Sequence, residues 1–524
     1  MSKRFVLSLV LLFAAAAARA GEFDTIGGTL LRQVAPTLLG TGVPVAQPEG
    51  YDFGIAGAFE VNPSVVGQPT NLFTWISSNG IAGTFPNSVG SMSAHADSVA
   101  GNFYGIGTGV APQVSHVDNY DADYFYNTYI ANALPVSARV VNQSFIFANA
   151  DTSHLPTNEE QSIDSSYDDY AVQYGVLFVS GAGNGGTVYP AATCYNGIGV
   201  GVYPGSSSTG PTPDGRSKPD LVSPGSGVTS FSTPYVAGAA AVMIQAALRG
   251  DGGADTNSAN DNRTIKALLL NGAIKPADWF NTPTTPLDIR YGAGVLNVFN
   301  SWNQLRGGKH PLIEATTVAN GSAHPPGANA SNESVLSGWD LNSVTNPDSS
   351  HDSINHYYFN LAGSNSFTLT ATLTWLRPHS TIAGPSGIND LNLFLYNTSS
   401  GQLVLSSTSA VDNVEHIYST ALPPGRYDLQ VLKNAQSQVS ASETYALAFE
   451  FFNVQLSAAQ SNNNVVISWP LAPTGFELQS STNITLATVW TTVTTPVTVD
   501  TNANRNVVVV PENGGNQFFQ LQRP

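Results

Sequence analysis

"VTSFSTPYVAGAAAVMIQAAL", residues 228–248, starts with hydroxyl-bearing side chains and runs on into small apolar ones. Its apolar run of roughly 13 residues is short of the ~20 needed to cross a bilayer. The segment therefore predicts a helix buried under a sheet, with a polar front end that reaches the surface. Pro234 is expected in the first helical turn, where a missing N–H is cheap. Thr229 or Ser230 can serve as an ordinary N-cap. A hydroxyl there also lies among free N–H groups and the positive end of the helix dipole, which suits a nucleophile whose reaction develops negative charge.

Composition frames the rest. A chain of 524 residues exceeds what one core usually sustains, so two or more domains are expected. Only 10% of residues are charged while 42% are apolar, which indicates folded rather than disordered chain. Residues 1–20, "MSKRFVLSLVLLFAAAAARA", combine Lys3 and Arg4, an apolar stretch and Ala18-Arg19-Ala20, the three-part pattern of a secretory signal. The mature protein is expected to be secreted or extracellular, with cell-surface association as an alternative, and with no membrane span. The formal net charge of −17 repels phosphate backbones, so nucleic acid is not expected as a partner. The single cysteine, Cys194, rules out an internal disulfide and reads as a small core residue.

From about Val43 to Trp302 short apolar segments such as "ARVVNQSFIF", "GVLFVSGAG" and "NGIGVGV" alternate with helix-like ones. That pattern predicts an α/β domain, a mostly parallel sheet with helices on both faces. Beyond residue 305, "SFTLTATLTWL", "LNLFLYN" and "RYDLQVL" alternate with period two and predict an all-β sandwich. A small all-β C-terminal module follows near Asn453. The expected organisation is a signal peptide at 1–20, an extension at 21–42, the α/β domain at 43–305, the sandwich at 306–453 and the module at 454–524. A Ser-, Asn- and Gly-rich stretch from about 318 to 352 reads as a linker or elaborate loop.

Five segments in order resemble the subtilisin-like serine proteases, the subtilases. "TSFSTPYVAG" is similar to the family's nucleophile motif, and "HADSVAG" at 95–101 to its His-Gly-Thr-x-Val-Ala-Gly segment. "VSGAGNGG" resembles the stretch bearing the oxyanion-hole Asn, "SKPDLVSPG" the lead-in to the nucleophile, and "YGAGVLNV" the closing Gly-x-Gly helix. The resemblance implies a subtilisin-like fold and a serine endopeptidase. Ser230 would attack a peptide carbonyl, His95 would move the proton, and Asn184 would bind the oxyanion. "GVPVAQPEG" at 42–50 resembles the carboxylate-bearing strand and places Glu49 where the family has Asp, with Asp52 as the near alternative. "VVNQSFIF" aligns with the substrate-pairing strand and makes Ser144, Phe145 and Ile146 the candidate substrate-binding residues.

Departures from the family mark a second reading. Ala96 and Asp97 replace Gly and Thr, Val228 replaces Gly, Tyr235 replaces His, and Phe145, Ile146 and Phe147 put bulk beside the expected cleft. A catalytically impaired binding protein at the cell surface is the alternative. A sedolisin-like pattern, with Asp97 as the essential partner, is a third. No cofactor is required for the chemistry and no zinc spacing occurs among the histidines, His116, His154 and His416 included. Structural calcium is considered at the loop "DGGADTNSANDN", 251–262, and at Asp390, Asn392, Asp412 and Asn413. The expected partner is a protein or peptide substrate.

Overall fold

A computed structural model describes residues 5–6, 21–52, 55–310, 335–346, 354–378, 387–434, 439–484, 489–512 and 514–523. The signal-like residues other than 5 and 6, and most of the expected linker, lie outside the described residues. The alternating segments of the first half form eight strands: β1 (Pro44–Ala46), β2 (Phe73–Ile76), β3 (Ala82–Gly83), β4 (His116–Tyr120), β5 (Val140–Gln143), β6 (Leu177–Gly181), β7 (Ile198–Val202) and β8 (Leu221–Ser223). Their order across the sheet is β8-β7-β6-β5-β1-β4-β2-β3. Every pairing is parallel except β2 with the edge strand β3.

The helices that matter to the site are α1 (Gly28–Val34), α2 (Ala94–Phe103), α3 (Thr157–Tyr174), α4 (Thr229–Leu248), α5 (Asn262–Asn271) and α6 (Val298–Arg306). Successive residues of β6 serve opposite faces, as a strand's period of two requires. Leu177 and Val179 join the core around α4, whereas Phe178 joins the aromatic layer of Ile163, Tyr167 and Tyr170 on α3. Burial on both faces explains why these strands read as continuous apolar and small runs.

Helix α4 lies within the larger core. By length and composition it could cross a bilayer, yet 83% of that window is buried inside the protein. Its small residues let neighbouring elements come close: a Cβ on Gly238 would lie 2.6 Å from that of Val110.

The sandwich places strands Ser337–Thr345, Ser442–Phe452, Phe367–Trp375 and Val414–Leu422 in one sheet. The facing sheet holds Ile354–Leu361, Gly425–Lys433, Leu391–Asn397 and Gln402–Ser407. Ser337–Thr345 corrects the linker expectation. It is a full strand paired with Ser442–Phe452, because Trp339, fully buried, anchors it against Leu305 through an indole N–H bond of 3.0 Å. The C-terminal residues form a four-stranded and a three-stranded antiparallel sheet around Trp469 and Leu478.

Polar side chains stitch the sandwich to the α/β domain. Arg377 Nη1 meets Asp168 Oδ2 at 3.2 Å with both side chains buried, and the Arg377 N–H donates to Asn196 Oδ1 at 2.7 Å. The Ser217 N–H donates to Asp412 Oδ1 at 2.7 Å, and Asn413 Nδ2 donates to the Tyr195 carbonyl at 2.9 Å. Buried charges persist in such a seam only when paired and hydrogen-bonded.

Glu450 lies in the same seam, accepting from Gln304 Nε2 at 3.0 Å, and desolvation pushes its pKa up to about 6. A carboxyl whose folded pKa exceeds its unfolded value contributes stability that is fully present below the unfolded pKa. That contribution is lost as pH rises through the folded pKa. Between about pH 4.5 and 6 the wild type should therefore lose about 2 kcal/mol relative to Glu450→Gln. Chemical denaturation of both proteins across this range measures it; parallel pH profiles would refute the assignment.

Candidate active site

Glu49 lies just beyond the C-terminal end of β1, where its backbone continues the sheet. Its N–H donates to the Tyr120 carbonyl at 2.9 Å, and its own carbonyl accepts from Ala122 at 3.0 Å. The side chain is fully buried and both carboxylate oxygens are engaged. Oε2 meets His95 Nδ1 at 2.9 Å, and Oε1 accepts from Gln47 Nε2 at 2.8 Å. Gln47 is itself held by the Tyr104 hydroxyl at 2.5 Å and by the Ala96 carbonyl at 3.0 Å. Of the two candidate carboxylates it is Glu49 that touches His95; Asp52 Oδ2 instead accepts from Ser93 Oγ at 3.3 Å.

His95 is the second residue of α2, which Ser93 caps by accepting the Ala96 N–H at 3.1 Å. Its side chain is 9% exposed. An ionised carboxylate can only accept, so Nδ1 carries the proton toward Glu49 and Nε2 presents a lone pair. Among the described residues that buried Nε2 has no hydrogen-bond partner.

Ser230 is the second residue of α4 and is half-buried. The helix begins after Val228 without a side-chain cap, so neither Thr229 nor Ser230 serves as its N-cap. Pro234 accordingly falls at the sixth helical residue, not in the first turn. The N–H it lacks would have bonded the Ser230 carbonyl four residues back. Ser144 Oγ donates to that freed carbonyl at 2.8 Å, and Ser230 Oγ leans toward the Ser144 carbonyl at 3.5 Å. No hydrogen bond joins Ser230 Oγ to His95 Nε2 in this arrangement. The two helix N-termini are nonetheless adjacent: the Phe231 ring lies 5.8 Å from the His95 ring, and Asn102 Nδ2 of α2 donates to the Phe231 carbonyl at 3.0 Å.

Asn184 follows β6 on an exposed loop. Its Oδ1 accepts from both the N–H and the Oγ1 of Thr229, at 2.9 and 3.0 Å. The amide is thereby oriented with its NH2 donors turned away from Thr229, and the backbone N–H groups that open α4 lie beside it.

The substrate-side residues differ in part from expectation. Phe145 and Phe147 are 5% and 2% exposed and enter the aromatic layer, with Phe147 5.0 Å from Tyr126 and 5.7 Å from Phe145. Their bulk therefore does not wall the cleft; α3 and the segment 125–130 supply an aromatic pocket that period-two reading could not reveal. Ile146 stays half-exposed, and Ile146–Phe147 pairs antiparallel with Phe5–Val6, an edge that accepts an extended segment.

Asp97 accepts the Asn62 N–H at 2.6 Å and opens on a separate cavity of about 280 Å³ lined by Val65, Val66 and Ile106. Desolvation raises its pKa to about 6. It makes no bond to Ser230, so the sedolisin-like pairing is not formed. Burial pushes the Cys194 thiol well up, as for an inert core thiol. Several of the calcium candidates are paired with protein groups, whereas the buried Asp390 Oδ1 has no hydrogen-bond partner among the described residues. Asp251 pairs with Arg249, Asp255 with Lys309 and Asp261 with Arg263, while Asp412 and Asn413 bond across the seam described above.

Sequence reading did not foresee the parts played by Ser144, Gln47 and Glu22. Glu22, in the N-terminal extension, accepts from the Ser226 N–H at 2.8 Å and from the Tyr235 hydroxyl at 3.2 Å. Tyr235 is the very departure from the family's His, and its distant partner left no local signal.

Residues 81–299 match the model of the subtilase family (Peptidase_S8), which supports a serine peptidase. Among curated proteins none matches the chain. Of solved structures, tripeptidyl peptidase 2 is 14% identical with a TM-score of 0.31, over 78% of this chain and 44% of that one. The lysozyme inhibitor PliG of Aeromonas hydrophila is 17% identical (TM-score 0.15), over 22% of this chain and 84% of that one. Latent PorU of Porphyromonas gingivalis is 12% identical (TM-score 0.15), over 42% and 22%. The chain thus spans less than half the length of tripeptidyl peptidase 2.

Because Glu49, not Asp52, holds the imidazole, Glu49→Gln should slow modification of Ser230 by a fluorophosphonate by about two to four orders of magnitude. Asp52→Asn should leave the rate near wild type. The reverse ranking would assign the carboxylate to Asp52.

Proposed function

We propose that the protein is a secreted serine endopeptidase that cleaves peptide bonds through an acyl-enzyme on Ser230. The observation that carries this reading is the fully buried Glu49 carboxylate bonded to His95 Nδ1 beside the N-terminus of the helix that bears Ser230. A substrate strand would add along Ile146–Phe147, main chain to main chain. Rotation of Ser230 about χ1 would release the Ser144 carbonyl and bring Oγ toward Nε2. Oγ would then bond to the scissile carbonyl carbon as its proton passes to Nε2, with Glu49 stabilising the imidazolium. The Asn184 amide and the α4 N-terminal N–H groups would hold the oxyanion. His95 would return the proton to the leaving amine, and a water activated by the same imidazole would deacylate Ser230. Export rests on the signal-like residues 1–20, and no step requires a cofactor.

One observation favours the alternative, an impaired binding protein: His95 Nε2 is shielded and unbonded while Ser230 Oγ turns to Ser144. Fluorophosphonate treatment of the folded protein separates the two. Stoichiometric labelling that vanishes in Ser230→Ala supports the peptidase, and a folded chain that takes no label excludes it.

A further inference from the structure

Another carboxylate–imidazole pair, with a half-exposed His154 on a buried Glu160, lies on the far side of Asn184. His154 Nδ1 lies 2.8 Å from Glu160 Oε1, and His154 Nε2 lies 2.7 Å from Thr187 Oγ1. Glu160 is in the first turn of α3 and is 7% exposed, whereas Thr187 lies three residues beyond Asn184 on the loop that leaves β6. The His154 ring also stacks flat on Tyr189, with centroids 4.1 Å apart and planes inclined by 5°. The Tyr189 hydroxyl reaches back to the Thr152 carbonyl at 2.9 Å, which ties the same two loops a third time.

Asn184 is followed by Gly185 and Gly186, the latter at φ 72°, a stretch with more backbone freedom to lose than any other residue pair would have. On one flank Ser208 restrains it: Ser208 Oγ donates to the Gly185 carbonyl at 2.7 Å and accepts the Gly185 N–H at 3.2 Å. On the other flank the Thr209 N–H donates to the Gly186 carbonyl at 3.0 Å and Thr187 bridges to Thr209, and His154 adds a side-chain restraint to that backbone bridge. Glu160 accepts from Nδ1–H, so Nε2 accepts from the Thr187 hydroxyl and the imidazole acts as a rigid strut between α3 and the loop.

We infer that His154, oriented by Glu160, is a positioning residue that fixes the loop bearing Asn184, so that the Asn184 amide meets developing negative charge at Ser230 without having to reorganise. The inference rests on the peptidase reading for its kinetic consequence and on the loop geometry alone for its structural one. His154 touches no reacting atom; it acts through Thr187 and Tyr189. Preorganised donors are what make an oxyanion site effective, and a donor free to drift loses part of that effect.

Two variants test this on the full chain: His154→Ala, and Thr187→Val, which removes only the hydroxyl at nearly constant shape. Each should lower kcat about tenfold, a fraction of the 10²–10³ that loss of a whole oxyanion donor costs, with KM little changed. In an Asn184→Ala background neither should lower kcat further. Glu160→Gln, which keeps an acceptor for Nδ1–H, should retain near wild-type kcat. Equal losses with and without Asn184, or no loss at all, would overturn the inference. Amide hydrogen exchange provides the readout that does not depend on turnover: His154→Ala should speed exchange at Gly185–Thr187 and leave β6 unchanged. If the wild type takes no fluorophosphonate label, the peptidase reading fails and exchange alone decides; unchanged exchange in the loop then overturns the inference.

Discussion

The site depends on one packing constraint: the N-termini of α2 and α4 must meet above the ends of β1, β5 and β6. A helix of ordinary bulk could not manage this. Helix α4 is rich in Ala and other small residues, so it lies deep in the core and close to α2, with Gly238 against Val110 and the Phe231 carbonyl bonded by Asn102. Close approach puts an imidazole and a hydroxyl at neighbouring helix starts, where unsatisfied N–H groups already favour negative charge. The carboxylate comes from a third direction, the end of β1, and is held at both oxygens by His95 and Gln47. None of the three functional groups stands on a free loop.

Pro234 illustrates how a local defect is used. Its missing N–H leaves the Ser230 carbonyl without its helical partner, and an unsatisfied buried carbonyl would be costly. Ser144 supplies the missing donor from the end of β5, which ties that strand to the helix that carries Ser230. The same contact turns the Ser230 hydroxyl toward Ser144, so the hydroxyl that would react with substrate is also a structural element of the unliganded site. The loop of Asn184 follows the same logic: it is flexible by composition and held by side chains from three separate segments, Ser208, Thr229 and His154.

The sandwich is bound to the α/β domain by paired charges and by apolar contact, since Trp339, Val414, Ala446 and Ala448 belong to the same core as α4 and α5. Arg377 pairs with Asp168 and Ser217 with Asp412 across this seam. Two seam carboxyls, Glu450 and Asp412, are desolvated and have raised pKa values. Such a seam specifies one relative placement of two domains, because any shift would strand a buried charge.

Much was legible in the chain itself, because hydrophobic period is a local property. Alternation of apolar and small segments determined the parallel sheet, period two determined the sandwich, and an apolar run led by hydroxyls determined the buried helix with a polar front. The order of Glu49, His95, Asn184 and Ser230 came instead from the resemblance to the subtilases, since each lies inside a short motif. What only the tertiary structure decided were relations between distant residues: that Glu49 rather than Asp52 meets His95, that the Phe145 and Phe147 rings turn inward, that Ser337–Thr345 is a strand, and that Glu22 grips Tyr235. Side-chain direction and partner choice depend on which elements come to lie alongside, a long-range packing outcome that no single stretch of sequence encodes.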